Sequence, residues 1–186
     1  MLTHKGTQVI ETSRLILRPF TADDAQALFH NWASDPEVTR YLTWPAHSSV
    51  DITCMVLDSW VKSYESLESY QWAIELKEIG QPIGSLSAFR LNEDVESAEI
   101  GYCIGKSWWH QGITTEALNA VIDFLFREVG ANRLTARHDP RNPNSGNVMK
   151  KCGMVCEGTT RQSDRNNQGL CDTVHYAILR GDREKK

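Results

Sequence analysis

Several features that mark particular protein classes are missing from this sequence of 186 residues. It has no apolar run long enough to cross a bilayer, and the opening Met-Leu-Thr-His-Lys-Gly-Thr-Gln lacks the apolar core of a signal peptide. Internal repeats and low-complexity linkers are also missing. We therefore predict one domain over residues 1–186, cytoplasmic and without a membrane partner. Residues 1–11 are expected to be a loose lead-in and residues 181–186 a polar tail.

The spacing of the cysteines and the net charge of the sequence also argue against a metal site and a nucleic-acid partner. The five cysteines form no Cys-x-x-Cys pair, and no histidine pair at ligand spacing accompanies Cys152 and Cys156. We therefore predict reduced thiols and no metal. The formal net charge of −4 does not favour nucleic acid, so no nucleic-acid partner is predicted. Such a charge is mildly favourable for a cationic substrate.

What is present is a mixed pattern of strands and helices. Apolar alternation predicts strands at 14–18, 71–76, 82–89, 99–104, 133–138, 154–160 and 173–179. Helical spacing predicts helices at 21–32, 36–41, 49–64, 113–128 and 145–153. Strands and helices do not alternate regularly. The order therefore predicts an α/β (α+β) fold, with a mostly antiparallel mixed sheet of six to seven strands and about four to five helices.

One stretch, from Glu99 to Glu116, combines a strand, a turn and a helix start. Gly112 stands just before the helix, where the absence of a Cβ lets a ligand approach the backbone. The first N–H groups of a helix are unpaired and its dipole favours an anion, so the turn suits a phosphate or pyrophosphate. The alternative is a plain strand–turn–helix junction capped by a threonine. The loop lacks the Gly-Lys-Ser/Thr ending of a triphosphate site, which disfavours ATP.

These segments, in this order, resemble the GNAT superfamily of acetyl-CoA-dependent N-acetyltransferases, and in particular its RimJ/RimL-type branch. The resemblance covers residues 11–180. The segments that carry it are Glu11-Thr-Ser-Arg-Leu-Ile-Leu-Arg-Pro-Phe, Trp32-Ala-Ser-Asp-Pro-Glu-Val-Thr-Arg-Tyr-Leu, Ala98-Glu-Ile-Gly-Tyr, Gly112-Ile-Thr-Thr-Glu-Ala and Asn142 to Gly153. Acetyl-CoA is thereby implied as co-substrate, and a GNAT-like fold is expected.

The resemblance also implies roles for individual residues. The strand Tyr102, Cys103 and Ile104 would pair with the pantetheine amides, and Asn142 would bond the pantetheine arm near the thioester. The backbone N–H groups of one loop would hold the pyrophosphate; these belong to His110, Gln111, Gly112, Ile113, Thr114 and Thr115.

The chain departs from the superfamily pattern at three positions. Trp109 stands where the loop pattern has Arg or Gln, and Thr114 stands where it has Gly or Ala, adding either bulk or a hydroxyl. Met149 occupies the position of a tyrosine that protonates the departing CoA thiolate in many members. Ser145, the alternative donor of the branch, is then the predicted acid; it could equally cap a helix.

The reaction needs a neutral amine, for which Glu99 is the candidate base, directly or through water. Glu99 could instead be a solvated strand end. Glu96 and His138 are weaker candidates. A free α-amine has a pKa of about 8 and lysine one of about 10.4, so an N-terminal amine needs less help from a base.

The acceptor pocket is expected from the first helices and the loop that follows them. Candidates to line it are Trp32, Tyr41 and Trp44, with core packing as the alternative. Asp35 and Glu37 could pair with a cationic group or simply cap a helix. The leading hypothesis is direct acetyl transfer, in a ternary complex, to a protein or peptide N-terminal α-amine. Acetylation of a small amine and a non-catalytic acyl-CoA sensor are the alternatives; the chain would be a monomer or homodimer.

Overall fold

A single mixed sheet forms the centre of the computed structural model, which describes residues 1–184. The spatial order of its strands is β1-β2-β3-β4-β5-β6-β8-β7, and every neighbouring pair is antiparallel except β5 and β6. The strands are β1 Ile10–Glu11, β2 Leu15–Arg18, β3 Tyr70–Leu76, β4 Gln81–Asn92, β5 Ser97–Ile104, β6 Arg133–His138, β7 Val155–Asn166 and β8 Gly169–Leu179. The predicted fold class is confirmed, but the described sheet has eight strands and not the expected six to seven.

Helices cover both faces of the sheet. Within residues 1–184 the α-helices are α1 Ala25–Leu28, α2 Pro36–Thr39, α3 Val50–Ser63, α4 Ile113–Phe124, α5 Pro143–Lys151 and α6 Arg180–Glu184. Short 3₁₀ and π-helical segments extend α1 at both ends, over Ala22–Asp24 and Phe29–Ala33, and a π-helical segment extends α4 over Leu125–Val129. One face carries the main core under α4 and α5, while the other carries a smaller core under α1 and α3. None of the described helices is long and apolar enough to span a bilayer.

The ends of the chain differ from expectation. The predicted loose lead-in packs instead: Leu2 is only 7% exposed, and the Thr3 N–H donates to the Val129 carbonyl at 2.7 Å. The lead-in also contains β1, which at two residues is too short to show alternation. Most of the predicted polar tail belongs to α6, which Arg183 ties to Asp123 of α4 at 2.8 Å. Residues 185–186 of that tail lie outside the described part of the chain.

The sheet splits between β5 and β6. Only three residue pairs join these strands, the last being Glu99 with Thr135. On its other edge β5 stays paired with β4 as far as Ile104. Within residues 1–184, the second half of β5 therefore has one edge without a strand partner, and the split opens beside it.

Candidate active site

A cavity of about 400 Å³ lies at the split. Its wall is built by β5, the loop before α4, the start of α5 and the segment around α2. Most of the predicted site residues meet there: Tyr41, Tyr102, Cys103, Ile104, His110, Gly112, Ile113, Thr114, Thr115, Asn142 and Ser145. The separate sequence motifs therefore converge on one site.

The loop before α4 has the backbone shape of an anion cradle. Gly112, the residue before the helix, has a φ of 76°, and His110 has a φ of 61°, so the chain turns sharply. The first hydrogen bond of the helix runs from the Glu116 N–H to the Gly112 carbonyl, at 3.0 Å. The N–H groups that precede it along α4 have no intrahelical acceptor and are available to a negatively charged ligand.

Trp109 fixes this cradle to the end of β5. Its indole Nε1 donates to the Ile104 carbonyl at 2.9 Å, so the residue that departs from the loop pattern has a structural role. Gln111 does not line the cavity, because its side chain turns back to the Ser107 carbonyl at 2.9 Å. Thr114 does line it.

Asn142 and Ser145 begin α5 opposite the open edge of β5. Asn142, and not Ser145, is the residue before the helix, and its side chain makes no capping bond. Its amide is thus available to a ligand in the cavity. Ser145 is the third residue of the helix, so a capping role for its side chain is wrong.

The Tyr102 side chain crosses the split to hold Ser145. Its hydroxyl donates to the Ser145 carbonyl at 2.8 Å and lies 3.0 Å from Ser145 Oγ. Burial raises the pKa of Tyr102, so the phenol stays protonated and keeps donating. The family resemblance implies only a backbone role for Tyr102, although its position on the Ile100–Tyr102–Ile104 face of β5 is a signal for an inward side chain.

Glu99 is not brought to the cavity. It lies three residues before Tyr102 in the same strand, so its side chain points to the opposite face of the sheet. Its two oxygens accept from Arg137 Nε and Arg90 Nη1, both at 2.8 Å. Arg137 also pairs with Asp164 of β7 at 2.9 Å. Glu99 therefore joins β4, β5 and, through Arg137, β6 and β7.

The weaker base candidates are also engaged elsewhere. Glu96 pairs with the chain's N-terminal amine, and His138 Nδ1 lies 2.8 Å from the Asp139 carbonyl. Neither residue lines the cavity. Met149, at the tyrosine position of the superfamily, is 1% exposed in the main core.

Two of the three predicted acceptor residues lie in the smaller core or pack against it. Trp32 is 1% exposed beside Phe20 in the smaller core, so a substrate contact for it is wrong. Trp44 packs against the same core, and its carbonyl accepts from Asn167 Nδ2 at 2.8 Å. Only Tyr41 lines the cavity.

The two acidic residues that precede Tyr41 in sequence, Asp35 and Glu37, already have partners within the protein. Asp35 caps α2 by accepting from the Glu37 N–H at 2.8 Å, as its alternative reading predicted. Glu37 lines the cavity and pairs with Lys106.

Arg141 also lines the cavity, which the sequence motifs did not predict. Its guanidinium carbon lies 5.9 Å from the centre of the Tyr41 ring. It is held by Asp139 at 2.6 Å, and that hydrogen bond lowers the pKa of Asp139 to about 2. The Asp-Pro-Arg sequence before Asn142 was the available signal.

The split sheet and the cavity at its opening define an acetyltransferase fold. The sequence profile described as "Acetyltransferase (GNAT) domain" matches residues 14–155, so the chain belongs to that family and is an N-acetyltransferase. YoaA, an uncharacterized N-acetyltransferase of Bacillus subtilis (strain 168), is 31% identical over 172 residues, which are 92% of this chain and 97% of YoaA. The predicted family resemblance is confirmed.

Other relatives carry ribosomal-protein names. The ribosomal-protein-serine acetyltransferase of Escherichia coli (strain K12) is 32% identical over 97 residues, 52% of this chain and 54% of that protein. The solved structure of RimL, a ribosomal L7/L12 alpha-N-protein acetyltransferase in complex with coenzyme A, matches with a TM-score of 0.82 at 21% identity. The match covers 92% of this chain and 98% of that one, and it shows a shared fold.

Proposed function

We propose that this chain transfers an acetyl group from acetyl-CoA to the N-terminal α-amine of a protein or peptide, directly and in a ternary complex. The observation that carries the proposal is the cavity itself. It joins an unpaired strand edge, a helix N-terminus with a left-handed glycine, and a side-chain amide without a capping bond. These are complementary to the amides, the pyrophosphate and the thioester end of one long coenzyme.

In this proposal each part of the wall binds a different part of acetyl-CoA, whose thioester supplies the activated acetyl group. The open edge of β5 at Tyr102 and Cys103 bonds the pantetheine amides as an added strand would. The cradle from His110 to Thr115 holds the pyrophosphate, with the Thr114 hydroxyl as an additional donor. Asn142 bonds the arm near the thioester.

The chemistry is divided between the backbone and Ser145. A backbone N–H at the open end of β5 stabilises the negative charge that develops on the thioester oxygen. The Ser145 hydroxyl donates a proton to the departing sulfur and takes one back from water, so the proton released by the amine is balanced by the one delivered to the thiolate. The Tyr102 hydroxyl keeps Ser145 in position. The attacking amine loses its proton to water, because no described carboxylate on the cavity wall is free of an ion pair.

An α-amine suits this site better than a lysine. With a pKa of about 8, it is partly neutral near pH 7 without a strong base, whereas an amine with a pKa of about 10.4 is almost fully protonated. The ribosomal-protein acetyltransferases among the relatives support the same acceptor class.

The first test is binding. Acetyl-CoA at about 100 times its Kd should stabilise the fold by about 2.7 kcal/mol. For a chain of this size the melting temperature should rise by roughly 5–10 °C. Differential scanning fluorimetry measures the shift, with ATP as the unrelated phosphate control. A shift with ATP equal to that with acetyl-CoA, or none with either, would contradict a coenzyme A site.

The acceptor is tested by thiol release from acetyl-CoA. The acceptors are peptides beginning with Ala, Ser or Met, lysine peptides with blocked N-termini, and small amines. Turnover of the free-N-terminus peptides is expected. Turnover of small amines alone would replace the proposed acceptor with the small-molecule alternative.

Replacing Glu99 should leave the pH dependence of catalysis unchanged. Because its carboxylate faces away from the cavity and accepts from two guanidinium groups, Glu99→Gln should keep the shape of the pH–rate profile. The expected loss is in thermal stability, since the ion pairs that join β4, β5 and β6 are weakened. The measurement is kcat against pH, with a melting curve for each variant. If kcat of the variant no longer rose with pH, Glu99 would be identified as the base.

A further inference from the structure

Glu116, the acid in the first turn of α4, accepts hydrogen bonds from a turn that is distant in sequence. One oxygen of Glu116 accepts from Thr12 Oγ1 at 2.6 Å, from Ser13 Oγ at 3.0 Å and from the Arg14 N–H at 3.0 Å. The other accepts from Arg14 Nε at 2.7 Å. All four donors come from the turn between β1 and β2, about a hundred residues away in sequence.

These donors keep Glu116 ionised. Burial by itself would raise the pKa of Glu116, but the hydrogen bonds from Thr12, Arg14 and Ser13 lower it to about 2. A full negative charge thus stands in the first turn of the helix whose N-terminus forms the anion cradle. An acid there stabilises an isolated helix, but it repels any second anion bound at the same end.

Arg14 is placed against both the acid and the cradle. Besides its bond to Glu116, its Nη1 donates to the Gln111 carbonyl at 3.0 Å. Its Nη2 lies beside Gly112, since a Cβ on that glycine would be 3.8 Å from it. The guanidinium therefore contacts the Glu116 carboxylate on one side and the loop at Gln111 and Gly112 on the other. The pair has no net charge.

We propose that Arg14 is a positioning residue for the coenzyme: it neutralises Glu116 and holds the loop at Gln111, so that the N-terminus of α4 can accept a pyrophosphate. This inference rests on the proposed coenzyme site and adds a determinant from a separate part of the chain. It explains why the β1–β2 turn is joined so closely to α4. Arg14 should thus affect binding of the phosphate part of the coenzyme and not binding of the pantetheine arm.

The experiment compares four forms in calorimetric titrations: wild type, Arg14→Gln, Glu116→Gln and the double variant. Arg14→Gln should weaken CoA binding about tenfold, because Glu116 is left without its counter-charge. The double variant should return to within about threefold of wild type, since the repelling charge is gone. Pantetheine, which has the same arm and no phosphate, should bind Arg14→Gln as it binds wild type.

A matched control separates this effect from net charge and from damage to the turn. Lys77 donates to Glu11 Oε1 and to the Thr12 carbonyl, both at 2.6 Å, so Lys77→Gln removes one positive charge beside the same turn. It should leave CoA affinity unchanged. Arg14→Lys keeps the charge next to Glu116 and should bind CoA within about threefold of wild type, which provides a second variant if Arg14→Gln folds poorly.

Three results would overturn the inference. They are unchanged CoA binding by Arg14→Gln, an equal loss of CoA and pantetheine binding, and a double variant as weak as Arg14→Gln. An equal effect of Lys77→Gln would count against it in the same way. Failure of the wild type to bind CoA would instead refute the proposed function, so the two outcomes are distinguishable.

Discussion

Ser145→Ala should lower kcat by about a hundredfold or more, the usual contribution of a positioned general acid. The affinity for CoA should be unchanged, because the proposed contacts with the coenzyme come from β5, the α4 cradle and Asn142. The alanine variant removes only the hydroxyl. Tyr102 still donates to the backbone carbonyl of residue 145, so no buried phenol is left without an acceptor.

The measurement is kcat at saturating acetyl-CoA and peptide, under conditions where chemistry limits the rate, with a separate CoA titration. Asn144→Ala is the matched control, because Asn144 is the preceding residue of α5 and also lines the cavity. It should retain kcat within about threefold, as expected for a residue without a part in proton transfer. An unchanged kcat in Ser145→Ala would mean that another group, or water, protonates the sulfur.

The fold could be predicted from sequence where a local rule sets the structure. Arg133–His138 is predicted at its observed bounds because its apolar residues alternate, and Gly130 ends the preceding helical segment with a φ of 82°. The strand β1 could not be predicted, because two residues carry no periodicity. The last hairpin is longer than predicted, since β7 has bulges and exposed residues on both faces.

The candidate site likewise contains residues that could be predicted from the sequence and residues that could not. Gly112 could be placed in the turn before α4 because it precedes a helical pattern, whereas Asn142 is assigned to the cavity only through the family resemblance. Glu99 and Trp32 could not be placed by residue type alone. Strand alternation does put Glu99 and Tyr102 on opposite faces, but the pairing of Glu99 with Arg90 and Arg137 depends on three strands coming together. Arg14 and Glu116 meet for the same reason, through contacts between distant segments.

Gly146 shows how the packing of α5 fixes the position of Ser145. A Cβ on Gly146 would lie 2.5 Å from His138 Nε2, much closer than van der Waals contact. The His138 ring has little freedom to move, because its Nδ1 lies 2.8 Å from the Asp139 carbonyl and it packs against Tyr176 with ring centres 5.7 Å apart. The missing side chain therefore lets α5 lie close to β6, with Ser145 within reach of Tyr102.

Gly146→Ala is therefore expected to lower the free energy of unfolding by about 2 kcal/mol, within the usual range for overpacking. Kcat should also fall, since α5 must move away from β6 and carry Ser145 with it. Urea denaturation measures the first effect and the thiol-release assay the second.

The physical cause is tested in a double-mutant cycle with His138→Ala. In that background the added methyl group meets no ring, so Gly146→Ala should be neutral or stabilising by up to about 1 kcal/mol, as expected for alanine in a helix. Gly181→Ala in α6 is the control: a Cβ there meets no atom of the described residues within 4 Å, so a small gain in stability is expected. If Gly146→Ala were equally destabilising with and without the His138 ring, the clash with that ring would not be the cause, and the close packing of α5 on β6 would need another explanation.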